Sequence, residues 1–74
     1  MLSDQWHVSA RIFMDAKNQI WSCILTHPEG CSINQIMFRT GYSHPMVTAC
    51  TDELFMEGRI SIEHDGRFKP ENDR

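Results

Sequence analysis

Cys23, His27 and Cys31 stand four positions apart in one short stretch, and their side chains are suited to soft-metal or redox chemistry. Thiolate and imidazole together form the usual donor set of zinc sites, and thiolates hold iron–sulfur clusters. On a continuous helix Cys23 and His27 would share a face. The spacing lacks the close Cys-x-x-Cys pair from which structural zinc sites are usually built. Cys23 and Cys50 also fall on apolar stripes, where cysteine packs as a small hydrophobe. The expectation is therefore reduced thiols with no metal and no cofactor, Cys31 being the most exposed and the one open to oxidation. Three cysteines are too few, and odd in number, for a disulfide framework. Catalytic constellations are missing. His44 and His64 have acidic neighbours in sequence, but neighbours on a turn do not make a triad. There is no phosphate-cradling glycine loop or nucleophile elbow, and 74 residues leave little concavity for a substrate. An enzyme is not expected.

The elements that carry these residues can be read from periodicity. Ile12, Phe13, Ala16, Ile20, Cys23 and Ile24 recur at three- and four-residue steps, predicting a helix over about residues 10–26. Ser9 is a candidate cap and His27-Pro28-Glu29-Gly30 a stop signal; a break near Asn18 would give two shorter helices instead. Ser32 is an N-cap for a second helix over about 33–39, with Ile33, Ile36 and Met37 on one face. Thr40-Gly41-Tyr42-Ser43 is a turn, with Gly41 supplying a positive φ. Ser43 caps a third helix with Pro45 in its first turn, an apolar stripe of Val47, Cys50 and Leu54 with Phe55 as a further candidate, and Gly58 as C-cap. Beyond it Ile60 and Ile62 alternate onto one face, Asp65-Gly66 signals a two-residue hairpin loop, and Arg67-Phe68-Lys69 returns with Phe68 inward before Pro70.

Size and charge narrow the function classes. A 74-residue chain is one domain, with an arm at 1–9, a folded unit at 10–70 and a frayed tail at 71–74. An apolar fraction of 41% argues against disorder. No apolar run is long enough to span a bilayer and the first residues do not read as a signal peptide, so a cytoplasmic location without membrane contact is the default. The net charge is −3, whereas a domain that grips nucleic acid alone is usually basic. The imbalance is local: residues 1–58 hold three basic against six acidic side chains, and residues 59–74 hold four of each.

Helix, short helix, glycine turn, helix and hairpin in that order resemble the winged helix-turn-helix family over about residues 12–69. Ile36 stands at the aliphatic position midway along the second helix, Gly41 opens the turn, and Tyr42 follows as the apolar residue after it. Val47 and Cys50 match the two residues that pack the third helix back onto the second. Leu54-Phe55-Met56-Glu57-Gly58-Arg59-Ile60 is similar to the family's junction between third helix and wing. Met37, where alanine is usual, and Thr40, where an apolar residue is common, depart from the pattern and imply a different crossing angle rather than a different fold. The resemblance implies an α+β, mostly α architecture: three helices followed by a two-stranded β-hairpin wing.

It also implies a small transcriptional regulator that binds double-stranded DNA, with the third helix in the major groove and the wing on the backbone. The residues at the reading positions are Ser43, His44, Met46, Thr48 and Ala49, with Thr51 and Asp52 beyond them. Hydroxyls and imidazole can bond bases or phosphates, and Ala, Met or a Thr methyl can touch a thymine methyl. Arg39, Arg59, Arg67 and Lys69 are the candidate phosphate contacts. Three or four such contacts correspond to a log–log salt slope of roughly −3 per chain, weak alone and doubled in a symmetric dimer. Trp6, Ile12, Phe13, Met14 and Trp21 make helix 1 and the arm a candidate homodimer interface, or a segment folded onto its own core. A second function class stays open: a winged-helix docking module, an accessory or phage-type factor on a larger machine such as RNA polymerase. The acidic balance and the lack of Arg or Lys at the reading positions favour it.

Overall fold

The computed structural model describes residues 2–71, with side chains over 10–71. Its elements are α1 (Leu2–Leu25), α2 (Ile33–Thr40), α3 (His44–Met56), β1 (Ile60–Ile62) and β2 (Phe68–Pro70). This is the expected α+β, mostly helical arrangement, three helices followed by a two-stranded antiparallel hairpin in a winged-helix-like layout. None of the described helices is long and apolar enough to cross a membrane.

α1 is one helix through Asn18 and begins at Leu2, so the backbone read as an arm continues it and Ser9 lies within it rather than capping it. From Leu2 to Thr26 there is no proline or glycine to stop a helix. Its buried row is Ala16, Ile20 and Ile24, each one turn from the next. Phe13, Trp21 and Cys23 pack against that row from the side, whereas Ile12 and Met14 are half bared to solvent. The expected stripe thus holds at every position except Ile12. The part of a dimer contact assigned to Trp6 lies outside the described side chains.

The chain then turns through His27–Gly30, with the Gly30 N–H donating to the His27 carbonyl at 3.0 Å and Pro28 at the position whose φ the turn requires. Ser32 opens α2 with a full capping box. Its Oγ accepts from the Gln35 N–H at 3.1 Å and its own N–H donates to Gln35 Oε1 at 3.0 Å. An N-cap of this kind contributes about 1 kcal/mol. α2 closes on Gly41 at φ +82°, whose N–H reaches the Met37 carbonyl. Ser43 caps α3, Pro45 sits in its first turn, and α3 ends in a Schellman closure. There the N–H groups of Gly58 and Arg59 donate to the carbonyls of Phe55 and Leu54, each at 3.0 Å.

Ile36 from α2, Val47, Cys50 and Leu54 from α3, Ile60 from β1 and Phe68 from β2 close over the α1 row to form one core. Met37 packs against that core at half burial, so the larger side chain at the helix crossing is accommodated. The hairpin differs from the two-residue loop expected. Ile62 pairs with Phe68 in the ladder, and Glu63 donates its N–H to the Arg67 carbonyl at 2.8 Å. The loop is therefore His64-Asp65-Gly66, a turn closed by Gly66 N–H to Glu63 carbonyl with Gly66 at φ +88°. A turn followed by one left-handed residue is the next commonest hairpin solution. The same two letters, Asp-Gly, serve both loop lengths. Ile62 is half exposed where Ile60 is buried, because the core ends at the first turn of the ribbon. Two links were not anticipated. Cys31 pairs with Phe68 as a one-residue third strand. Glu71, read as part of a frayed tail, donates its N–H to the Arg59 carbonyl at 2.8 Å; residues 72–74 of that tail lie outside those described.

Candidate nucleic-acid interface

The outward side of α3 is thinner in chemistry than its letters imply. Ser43 spends its hydroxyl oxygen as a cap, accepting from the Met46 N–H at 3.4 Å. Met46 is half buried and packs against the core. The Thr48 Oγ1 is buried and has no hydrogen-bond partner among the described residues, so it is not presented to a base edge. Thr51 is 1% exposed, and its hydroxyl donates to the Val47 carbonyl at 2.9 Å, which removes it from the candidate readers. Only His44 and Ala49 of the five reading residues are exposed without a capping, core or buried-hydroxyl role, and Asp52 is exposed one turn past Thr48.

Three of the four candidate phosphate contacts are paired with carboxylates. Arg59 lies over the Trp21 ring at 5.8 Å from its centroid and pairs with Glu57 at 3.1 Å. Arg67 pairs with Asp65 at 3.6 Å and Lys69 with Glu63 at 4.0 Å, all on the wing. Arg39 has no carboxylate partner among the described residues and donates from Nη1 to Cys31 Sγ at 3.5 Å. It lines a groove between α1 and α2 with Gln19, Ser22, Cys23, Thr26, His27 and Thr40. Glu57 also accepts from Lys17, and this hydrogen bond holds the Glu57 carboxyl below the usual glutamate range, with the Lys17 and Arg59 charges adding to it.

The thiol and imidazole groups set aside on spacing do meet. The donor atoms of Cys23, His27 and Cys31 all lie within 4.8 Å of one another. The letters place Cys23 and His27 across the end of α1. The turn at Pro28-Glu29-Gly30 then folds Cys31 back beneath them, a closure no close-pair rule registers. Cys31 is fully buried rather than exposed, and burial followed by the neighbouring Cys23 pushes its thiol pKa up. Burial likewise raises Cys50, against the pull of Lys17.

One signal in the letters was missed. All ten carboxylate side chains lie outside residues 30–51, the stretch that forms α2, the glycine turn and the first half of α3. That stretch carries Arg39 and His44 and no acid, so every carboxylate of the chain precedes Gly30 or follows Thr51. Comparison with protein-family models, curated proteins and solved structures found no match to this chain.

Proposed function

We propose that this protein is a small regulator that reads double-stranded DNA through α3. The observation that carries the reading is the acid-free segment over residues 30–51 in a winged-helix-like layout. The exposed N-terminus of α3 carries a partial positive charge that no first-turn carboxylate offsets, and an acid at that end would oppose a phosphate backbone. His44 supplies a donor or acceptor, and Ala49 a surface against a thymine methyl. The wing ion pairs are exposed and long, and such pairs contribute little, so a phosphate can displace the carboxylates. With so few uncommitted cations the salt slope is shallow, about −1 to −2 per chain, and useful affinity requires a second copy or a partner that adds contacts. Anisotropy titration of random and genomic duplexes at low and moderate salt tests this. Salt-sensitive binding with that shallow slope is expected; its absence from every oligomeric form of the protein overturns the reading.

Docking on a larger machine without DNA contact has its own supporting observation. Phe38 is 90% exposed on α2, and Met56 is 82% exposed at the end of α3. A bare aromatic is what an interface core uses. On this reading Phe38→Ser abolishes capture of a stoichiometric protein partner, and DNA titrations are flat for the unchanged protein.

A further inference from the structure

We propose that Cys23, His27 and Cys31 form a binding site for one soft metal ion of the Zn²⁺ or Cu⁺ type, with three protein ligands and one open position. The inference stands apart from the DNA reading, and of its residues only Arg39 is also a candidate DNA contact.

Geometry carries the proposal. The three donor atoms lie within 4.8 Å of one another. Ligands around a tetrahedral zinc stand roughly 3.5–3.8 Å apart, given bonds of about 2.0–2.3 Å. Closing the site therefore takes side-chain movements of about an ångström, within the reach of small χ1 changes. The imidazole is held at one nitrogen by the main chain, which leaves the other for an ion. His27 Nδ1 lies 2.8 Å from the Cys23 carbonyl, and a carbonyl only accepts, so Nδ1 carries the proton and Nε2 keeps the free lone pair. A main-chain carbonyl holding the far N–H is the usual support of a ligating histidine. Thr26 Oγ1 lies 3.2 Å from the same Nδ1 and donates to the same Cys23 carbonyl at 3.0 Å, which reinforces that edge of the ring.

The surroundings suit a thiolate site. Arg39 Nη1 donates to Cys31 Sγ at 3.5 Å and can stabilise the sulfur once its proton has left. Cys23 and His27 are half buried, and both line the groove between α1 and α2, so an ion can enter and an outside ligand can fill the fourth position. A disulfide between the two cysteines would leave the imidazole and its support without a role. Binding releases the thiol protons and ties the end of α1 to Cys31, whose main chain pairs with Phe68 of the hairpin. The ion is thus a staple for a small domain, and it connects helix 1 to the wing.

The test uses the full, reduced chain titrated with Co²⁺ and then with Zn²⁺. One Co²⁺ per chain is expected, with a thiolate-to-cobalt charge-transfer band and the visible intensity of tetrahedral coordination, displaced by Zn²⁺. Cys23→Ala and His27→Gln, at half-buried positions, should each weaken or abolish the band while far-ultraviolet circular dichroism stays unchanged. Cys50→Ala should keep it. Cys31→Ala with native dichroism should lose the band as well. No stoichiometric band, a band that survives both Cys23→Ala and His27→Gln, or Co²⁺ silence with rapid Cys23–Cys31 disulfide formation in air overturns the proposal.

Discussion

Cys31 and Phe68 exchange both main-chain hydrogen bonds, 2.9 Å from the Cys31 N–H to the Phe68 carbonyl and 2.7 Å in the other direction. This pairing fastens the loop after α1 to the second strand of the hairpin, so the wing is not an independent ribbon. Both partners are buried in the shared core, and the wing therefore takes its position from helix 1 as well as from helix 3.

Gly30, next to that pairing, is constrained twice. It has φ +115°, and a Cβ there would stand 3.1 Å from Arg67 Cδ and 3.2 Å from Arg67 Cβ. Gly41 has φ +82° but nothing within 4 Å of the same position. Gly41→Ala should therefore cost only the backbone strain, about 1–2 kcal/mol, whereas Gly30→Ala should cost more and displace Arg67. Thermal midpoints from circular dichroism check the order, since each 1 kcal/mol corresponds to about 4–8 °C in a domain of this size. Equal midpoints would show that the contact with Arg67 is inconsequential.

Lys17 is buried on α1 and meets Glu57 just past the end of α3. Removing the carboxylate leaves an ammonium group in the protein without its partner, which is worse than having neither group. Glu57→Gln should be less stable at neutral pH than the double variant Lys17→Met with Glu57→Gln. The folded-state carboxyl is held below its ordinary range, with the Lys17 hydrogen bond as the main cause. The pair's contribution is therefore complete above the ordinary glutamate value and is lost as pH falls toward the lowered folded value. Urea midpoints measured at neutral and acidic pH should show the gap between the unchanged protein and Glu57→Gln narrowing in acid. A gap that widens there contradicts the assignment.

Ala49 is exposed in the acid-free first half of α3, with the exposed Asp52 and Glu53 one turn further along the same face. Substitution there should leave stability within about 0.5 kcal/mol. On the DNA reading, Ala49→Glu weakens duplex binding about tenfold, roughly 1.4 kcal/mol, and Ala49→Lys strengthens it. Dissociation constants at one fixed salt concentration measure both effects. If neither substitution moves duplex affinity while Phe38→Ser removes a protein partner, α3 is not the reading element and docking is the function.

Much of the architecture follows from local rules. Ser32, Gly41, Ser43, Pro45 and Gly58 mark helix ends because each meets a main-chain requirement within a few residues of itself, and α2 and α3 lie within a residue or two of where those letters placed them. The apolar row from Ala16 to Ile24 was legible for the same reason. The start of α1 was not, because Ser9 is a cap-type residue that a helix also tolerates and no proline or glycine precedes it. The hairpin loop length was not, because Asp-Gly fits two turn geometries.

What only the tertiary structure decided concerns pairs distant in sequence. Periodicity marks a face but not what covers it, so it could not show Lys17 against Glu57, Cys31 against Phe68, or Arg59 over Trp21. It listed Thr48 among outward residues, although the rotamer turns the hydroxyl inward. It treated the wing cations as free, although each faces a carboxylate. The gathering of Cys23, His27 and Cys31 depends on a turn reversing the chain by a specific amount. The sequence determined which residues are present and which short segments are helical; the closing of the core determined which side chains meet, because contact energies between distant residues exist only once the chain is folded.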